Sequence, residues 1–161
     1  MKHRIETFRT PLRVGCLTFR DPLPACLVLY LLLYFDASGF LRIGLLAACL
    51  HEGGHILVYL LLFHRLPHID VTVTGFCMKT RGCVLSARQT LLLAAAGPAV
   101  NGGLAVLWWL KLQQHVTLWD DAFFAANVLT GAFNLLPVPP LDGAQLWSTG
   151  VALWREKRTM K

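Results

Sequence analysis

Apolar residues run almost unbroken over 23–35, 41–63, 91–110 and 122–136, and resume over 144–154. A membrane-spanning helix needs about 20 such residues. The first segment is therefore short, crossing only if it borrows 37–40 or meets a locally thin bilayer. The second is long enough. The third ends in Trp108, Trp109 and Lys111, an interfacial anchor pattern, and Ser86 with Gln89 predicts a capping box at its start. The fourth stops at Pro137, Pro139 and Pro140, and 144–154 is too short to cross alone. The pattern predicts that 122–154 is one passage broken in the middle, which membranes tolerate only where the break is buried in protein or lines a polar cavity. Between the second and third segments, His68-Ile69-Asp70-Val71-Thr72-Val73-Thr74 alternates with the period of a strand, and 76–78 and 83–85 flank the polar string Lys79-Thr80-Arg81-Gly82. A β-hairpin at the membrane surface is the expectation there. No internal repeat or linker interrupts the chain. The fold class expected is an all-α polytopic membrane protein with about four transmembrane passages, the last broken, a small membrane-surface β-hairpin, and a single domain over 1–161.

Composition agrees. Of 161 residues, 55% are hydrophobic and 15% charged, with a mean hydropathy of +0.53; soluble domains carry about 25% charged residues. That excludes intrinsic disorder, and the 13 Gly and 5 Cys are too scattered for a collagen or disulfide scaffold. The +6 net charge gathers at the ends: Lys2, Arg4, Arg9, Arg13 and Arg20 at one, Arg155, Lys157, Arg158 and Lys161 at the other. No basic face with groove-reading partners is present, so a nucleic-acid role is not expected. Arg65, Lys79, Arg81 and Arg88 lie between the second and third segments, whereas the other connections hold Arg42 and Lys111 against Asp36, Asp120 and Asp121. The positive-inside rule then puts both termini in the cytoplasm. The long charged N-terminal stretch, followed by no small-residue cleavage site, does not read as a signal peptide.

Seven of the nine acidic residues fall in tails or connections; Glu52 and Asp142 do not. Glu52 lies about 15 Å along the second helix, near the bilayer midplane, where an ionisable group costs at least about 2.5–3.5 kcal/mol. It stands within His51-Glu52-Gly53-Gly54-His55. Residues i and i+4 share a helical face, so two imidazoles at that spacing can reach one Zn²⁺, with the glutamate beside it as a base for bound water. A catalytic zinc needs a third ligand and an open position. Asp142, the remaining carboxylate at membrane depth, is assigned to the metal by economy of charge; the competing reading is the N-cap of a half-helix starting at Ala144. Gly53 and Gly54 fit either close helix packing or room for substrate.

Three strings resemble the site-2 protease family of intramembrane zinc metalloproteases. They are His51-Glu52-Gly53-Gly54-His55; Ala95-Ala96-Gly97-Pro98-Ala99-Val100-Asn101; and Asn134-Leu135-Leu136-Pro137-Val138-Pro139-Pro140-Leu141-Asp142-Gly143. Order and spacing agree, over roughly 41–154. The resemblance implies one zinc held by His51, His55 and Asp142, with Glu52 as general base. It also implies that Asn134 lies near the metal, where its amide could stabilise an oxyanion; an amide that caps carbonyls freed by the prolines is the alternative. Gly97, Pro98 and Asn101 read as structural, Asn101 satisfying backbone or a neighbouring helix. With no inserted peptide-binding domain, the layout is similar to the compact bacterial sporulation-type subgroup, although members usually continue with further membrane helices. The resemblance implies a transmembrane protein substrate cut in the bacterial cytoplasmic membrane, with a regulatory membrane protein or a second copy of the chain as partners to be considered. The substrate segment must unwind, and the hairpin over 71–85 could receive it as an added strand. A zinc-binding channel, transporter or assembly factor is the rival, because broken helices with midplane polar groups serve transport too.

The remaining features are plain. Five cysteines, Cys16, Cys26, Cys49, Cys77 and Cys83, are expected as thiols, a Cys77–Cys83 bridge across the hairpin being disfavoured in a reducing compartment. His64 and His68 share i, i+4 spacing, but Pro67 intervenes and interfacial solvation is expected. Trp147 and Trp154 read as packing or an interfacial belt.

Overall fold

A computed structural model describes residues 12–72, 75–79, 84–114 and 116–159. The elements are β1 (Leu12–Val14), β2 (Leu17–Phe19), α1 (Pro22–Tyr34), α2 (Phe40–Phe63), β3 (His68–Thr72), β4 (Gly75–Lys79), α3 (Ala87–Leu112), α4 (Leu118–Asn134) and α5 (Asp142–Thr159). The chain, read above as one domain, groups into two compact units: the four strands with α1, and the bundle α2–α5.

In the first unit the strands form one sheet in the order β1-β2-β3-β4. β1 and β2 are an antiparallel hairpin with Leu12 opposite Phe19. β2 runs parallel to β3, with Leu17 opposite Ile69, and β3 is antiparallel to β4, with Asp70 opposite Cys77. The expected hairpin is met by the antiparallel pair β3–β4, and two N-terminal strands widen the sheet. Val84 and Leu85 are not strand, so the second arm expected over 83–85 is corrected to β4; residues 80–83 lie outside the described residues, as does the Cys77–Cys83 question. Asp70 is buried on β3 and held by Arg20, whose Nε lies 3.1 Å from Asp70 Oδ2, while the His68 ring meets Thr18 Oγ1 at 2.8 Å. His68 Nε2 also lies 3.5 Å from Asp70 Oδ1. α1 starts with Pro22 at its first turn and buries none of its residues. Its 13 residues extend about 20 Å, short of a hydrocarbon core of about 30 Å.

In the second unit α3 packs against α2, α4 and α5 in turn. The capping box forms as expected: Gln89 N–H donates to Ser86 Oγ, and Ser86 N–H donates to Gln89 Oε1. α4 is capped by Thr117, whose Oγ1 accepts from Asp120 N–H. Lys111, Trp108 and Thr117 all donate to the Asp120 carboxylate, tying the end of α3 to the start of α4. The passage expected over 122–154 is two helices, α4 and α5, joined by 135–141. α5 begins at Asp142, two residues earlier than expected, and reaches Thr159. Among the described residues two helices, α2 and α3, are long and apolar enough to cross a membrane. Helix length and composition do not show the four expected passages: α4 has 17 residues, and the second half of α5 carries Arg155, Lys157 and Arg158. Large apolar side chains on α2 and α3, including Leu46, Leu57, Leu61, Leu92, Val106 and Leu107, are exposed on the bundle surface.

Candidate metal centre

α2 places His51 and His55 on one face, one turn apart, with their ring centroids 4.9 Å from each other. That face is turned into the bundle, and both imidazoles are buried. Asp142, the first residue of α5, delivers its carboxylate to them. His51 Nε2 lies 3.0 Å from Asp142 Oδ2, His55 Nε2 lies 3.1 Å from the same oxygen, and the two Nε2 atoms are 3.2 Å apart. Among the described residues these three form the group able to hold a metal ion. Against the competing reading of an N-cap for a half-helix starting at Ala144, α5 already includes Asp142 as its first residue.

The protons on the rings follow from their other partners. His55 Nδ1 lies 2.8 Å from the Leu93 carbonyl, which can only accept, so Nδ1 carries the hydrogen. His51 Nδ1 lies 2.5 Å from Asn101 Oδ1. The Asn101 amide is oriented by its donors, Nδ2 giving hydrogen bonds to the Ala47 carbonyl and to Asn127 Oδ1, so its Oδ1 accepts from His51. Neutral imidazoles protonated at Nδ1 direct lone pairs from Nε2. With both rings protonated at Nδ1, two lone pairs and a carboxylate oxygen converge, an arrangement that a bound metal cation relieves. The donor set suits zinc: two imidazole nitrogens and a carboxylate oxygen, all within 3.2 Å of one another, are the atoms that would hold the ion. Outer partners of this kind, fixing ring orientation and tautomer, accompany metal-bound histidines generally.

Glycine makes the approach of α3 and α5 possible. A Cβ on Gly97 would collide with Nε2 of both His51 and His55. A Cβ on Gly143 would overlap the carbonyls of Leu135 and Leu136, against which the first turn of α5 is seated. The Ala-Gly-Pro and Leu-Asp-Gly strings therefore have a steric reading: each glycine lets a backbone lie against the site.

Glu52 is half-buried on α2, adjacent in sequence to His51. Asn134 ends α4 and donates from Nδ2 to the Thr130 carbonyl at 3.0 Å, one turn back in its own helix. Asn101 is fully buried and bonds to a metal-facing ring, a more specific place than the general helix contact expected for it. Asn127, also fully buried, was not singled out in the sequence. Its signal was present: a lone amide in the middle of an apolar helix needs a partner, because unsatisfied polar groups are costly in lipid. His64 ends α2 in the left-handed conformation at φ 52°, and the described residues show no second metal cluster around it.

No protein-family model matches the chain. Over 75 residues, 44% of its length, it is 28% identical to a protein of Methanocaldococcus jannaschii named "Putative zinc metalloprotease". It spans 39% of the length of that relative. Among solved structures it superposes on the site-2 protease from the same organism with a TM-score of 0.63 and 17% identity, covering 88% of this chain and 70% of that one. The chain thus shares sequence with a protein named as a zinc metalloprotease and shares its fold with a site-2 protease.

Proposed function

We propose that this protein is an intramembrane zinc metalloprotease that hydrolyses a peptide bond within or next to a transmembrane segment of another protein. The observation that carries the proposal is the convergence of His51 Nε2, His55 Nε2 and Asp142 Oδ2 as three acceptors. A zinc ion bound there would supply a Lewis acid and a water acidic enough to ionise near neutral pH.

The chain's own residues divide the remaining work. His51, His55 and Asp142 would hold the ion. Glu52 takes one proton from the attacking water as the new C–O bond forms, and returns it to the nitrogen as the C–N bond breaks. Asn134 has a second amide hydrogen besides the one bonded to Thr130, and is assigned to the developing oxyanion. The exposed connection 135–141 is the proposed route for water. The substrate segment must unwind to expose its scissile bond, because helical hydrogen bonding shields it.

Element lengths support a bilayer centred on the metal site. From His51, Arg42 and His64 lie about 14 and 20 Å along α2; from Gly97, Ala87 and Lys111 lie about 15 and 21 Å along α3; Trp154 lies about 18 Å along α5 from Asp142. Half a hydrocarbon core is about 15 Å. One boundary then carries Arg42, Lys111 and Asp120, the other Arg65, Arg88, Arg155, Lys157 and Arg158. The second, richer in cations, is assigned to the cytoplasm. In this reading α2, α3 and the α4–α5 pair each cross, α1 makes a further passage by borrowing 37–40 or meeting a locally thin bilayer, and both termini are cytoplasmic. The compact, sporulation-type assignment and the bacterial cytoplasmic membrane belong to the same proposal.

The test is Glu52→Gln in the full chain, reconstituted with a transmembrane substrate. Cleavage should fall by at least about 100-fold, the lower end of what a general base supplies, while zinc remains bound. Retained cleavage would remove the assigned base. Retained transport of an ion, with no cleavage by the wild type, would favour the channel or transporter reading instead.

A further inference from the structure

We propose that Asn127, acting through Asn101, is a positioning residue that sets the tautomer of His51 and with it the affinity of the site for its divalent cation. The inference rests on the metal-site reading above and goes beyond its three ligands.

The direction of each hydrogen bond is forced from the far end. The Phe123 carbonyl can only accept, and it lies 2.8 Å from Asn127 Nδ2. Asn127 therefore presents Oδ1 to α3. Asn101 answers with Nδ2, 2.9 Å away, and directs the same nitrogen to the Ala47 carbonyl at 3.3 Å. Its Oδ1 is left to accept from His51 Nδ1, and the lone pair of His51 emerges at Nε2, facing Asp142 and His55. A backbone carbonyl of α4, relayed through the shorter of the two Asn101 Nδ2 bonds and seconded by the Ala47 carbonyl, thereby biases which nitrogen of a ring on α2 is free to bind an ion. Asn101 and Asn127 both have 0% exposure, so water has no access to substitute for either amide.

The reverse orientation has a distinct consequence. With Asn101 turned over, His51 would carry its hydrogen on Nε2, and that N–H would fill the space between Asp142 and His55. The three groups would then be joined by a proton, and a cation would have to displace it. His55 has no such vulnerability, because its Nδ1 bonds directly to the Leu93 carbonyl. His51 is the ligand whose state depends on side chains, and Asn127 is the residue in that chain most remote from the ion.

The experiment measures zinc affinity of the full chain in detergent by competition with a chelator, alongside the absorption spectrum of the Co²⁺-loaded protein. Asn127→Leu, which offers Asn101 no acceptor, is expected to weaken zinc binding about 10–100-fold and to alter the Co²⁺ spectrum. Asn127→Ser keeps one hydroxyl able to donate to the carbonyl four residues back and to accept from Asn101, and should recover most of the affinity. Should the leucine variant fail to fold, Asn127→Ala is compared with the serine variant in the same way. Equal affinities for wild type and Asn127→Leu would overturn the relay. A serine variant as weak as the leucine or alanine variant would also overturn it, leaving Asn127 with a packing role. A wild type that binds no zinc would overturn the metal site itself, and the relay with it.

Discussion

His55 Nε2 stands 3.1 Å from Asp142 Oδ2 although 87 residues separate them in sequence. α2 and α5 are not sequence neighbours, so the contact exists because α3 and the 135–141 connection hold the start of α5 against α2. Asp142→Ala removes one of the three ligands and leaves two lone pairs facing a void. Zinc affinity should drop by more than the roughly 10–100-fold that outer partners carry, with helicity retained. Zinc analysis of the purified variant beside wild type checks this; equal metal content would remove Asp142 from the site.

Gly97→Ala should be among the most damaging single-atom additions in the bundle. The added Cβ meets Nε2 of both imidazoles, which are the far ends of side chains anchored at Nδ1 and unable to turn away. Loss of bound zinc is expected, with about 1–3 kcal/mol of destabilisation from overpacking. Gly102→Ala on the same helix meets nothing within 4 Å, and should bind zinc as wild type does. Thermal melts and metal titration of the two variants provide the comparison.

Much of this site can be read from the sequence, and the reasons it can are local. His51 and His55 are one helical turn apart, a relation that needs no tertiary knowledge, and Glu52 is conspicuous because membrane interiors exclude charge. Asp142 followed from its being the other acid at that depth. The Ser86–Gln89 box was equally legible, since both partners lie within one turn. What escaped was set by distant partners. β1 and β2 are three residues each, too short to show an alternation, and they exist through the pairing of β2 with β3. The β3–β4 pairing escaped because 76–78 read as an arm flanking the polar string Lys79-Thr80-Arg81-Gly82 rather than as the partner of 68–72. Asn127 looked incidental because its role depends on Asn101, which comes from another helix.

The Asp120 carboxylate ties the end of α3 to the start of α4, and its pKa lies below the ordinary value. The hydrogen bond from Lys111 is the main cause, followed by that from Thr117; that from Trp108 adds less. A depressed folded pKa means stability that is fully present above the unfolded value of about 3.9 and is lost as pH falls through the lower folded value. Wild type should therefore melt higher than Asp120→Asn at neutral pH, with the difference shrinking below about pH 4. A gap between the two melting temperatures that stayed constant from pH 7 down to pH 3 would show that the ionised carboxylate is not what holds the two helices.

The most direct test of the central claim is X-ray absorption at the zinc edge of the purified full chain. Bound metal should amount to one ion per chain, ligated by two imidazole nitrogens and carboxylate or water oxygen at about 2.0–2.2 Å. A chain that takes up no zinc, or one whose zinc is ligated by sulfur, would contradict the convergence of His51, His55 and Asp142 on a single ion.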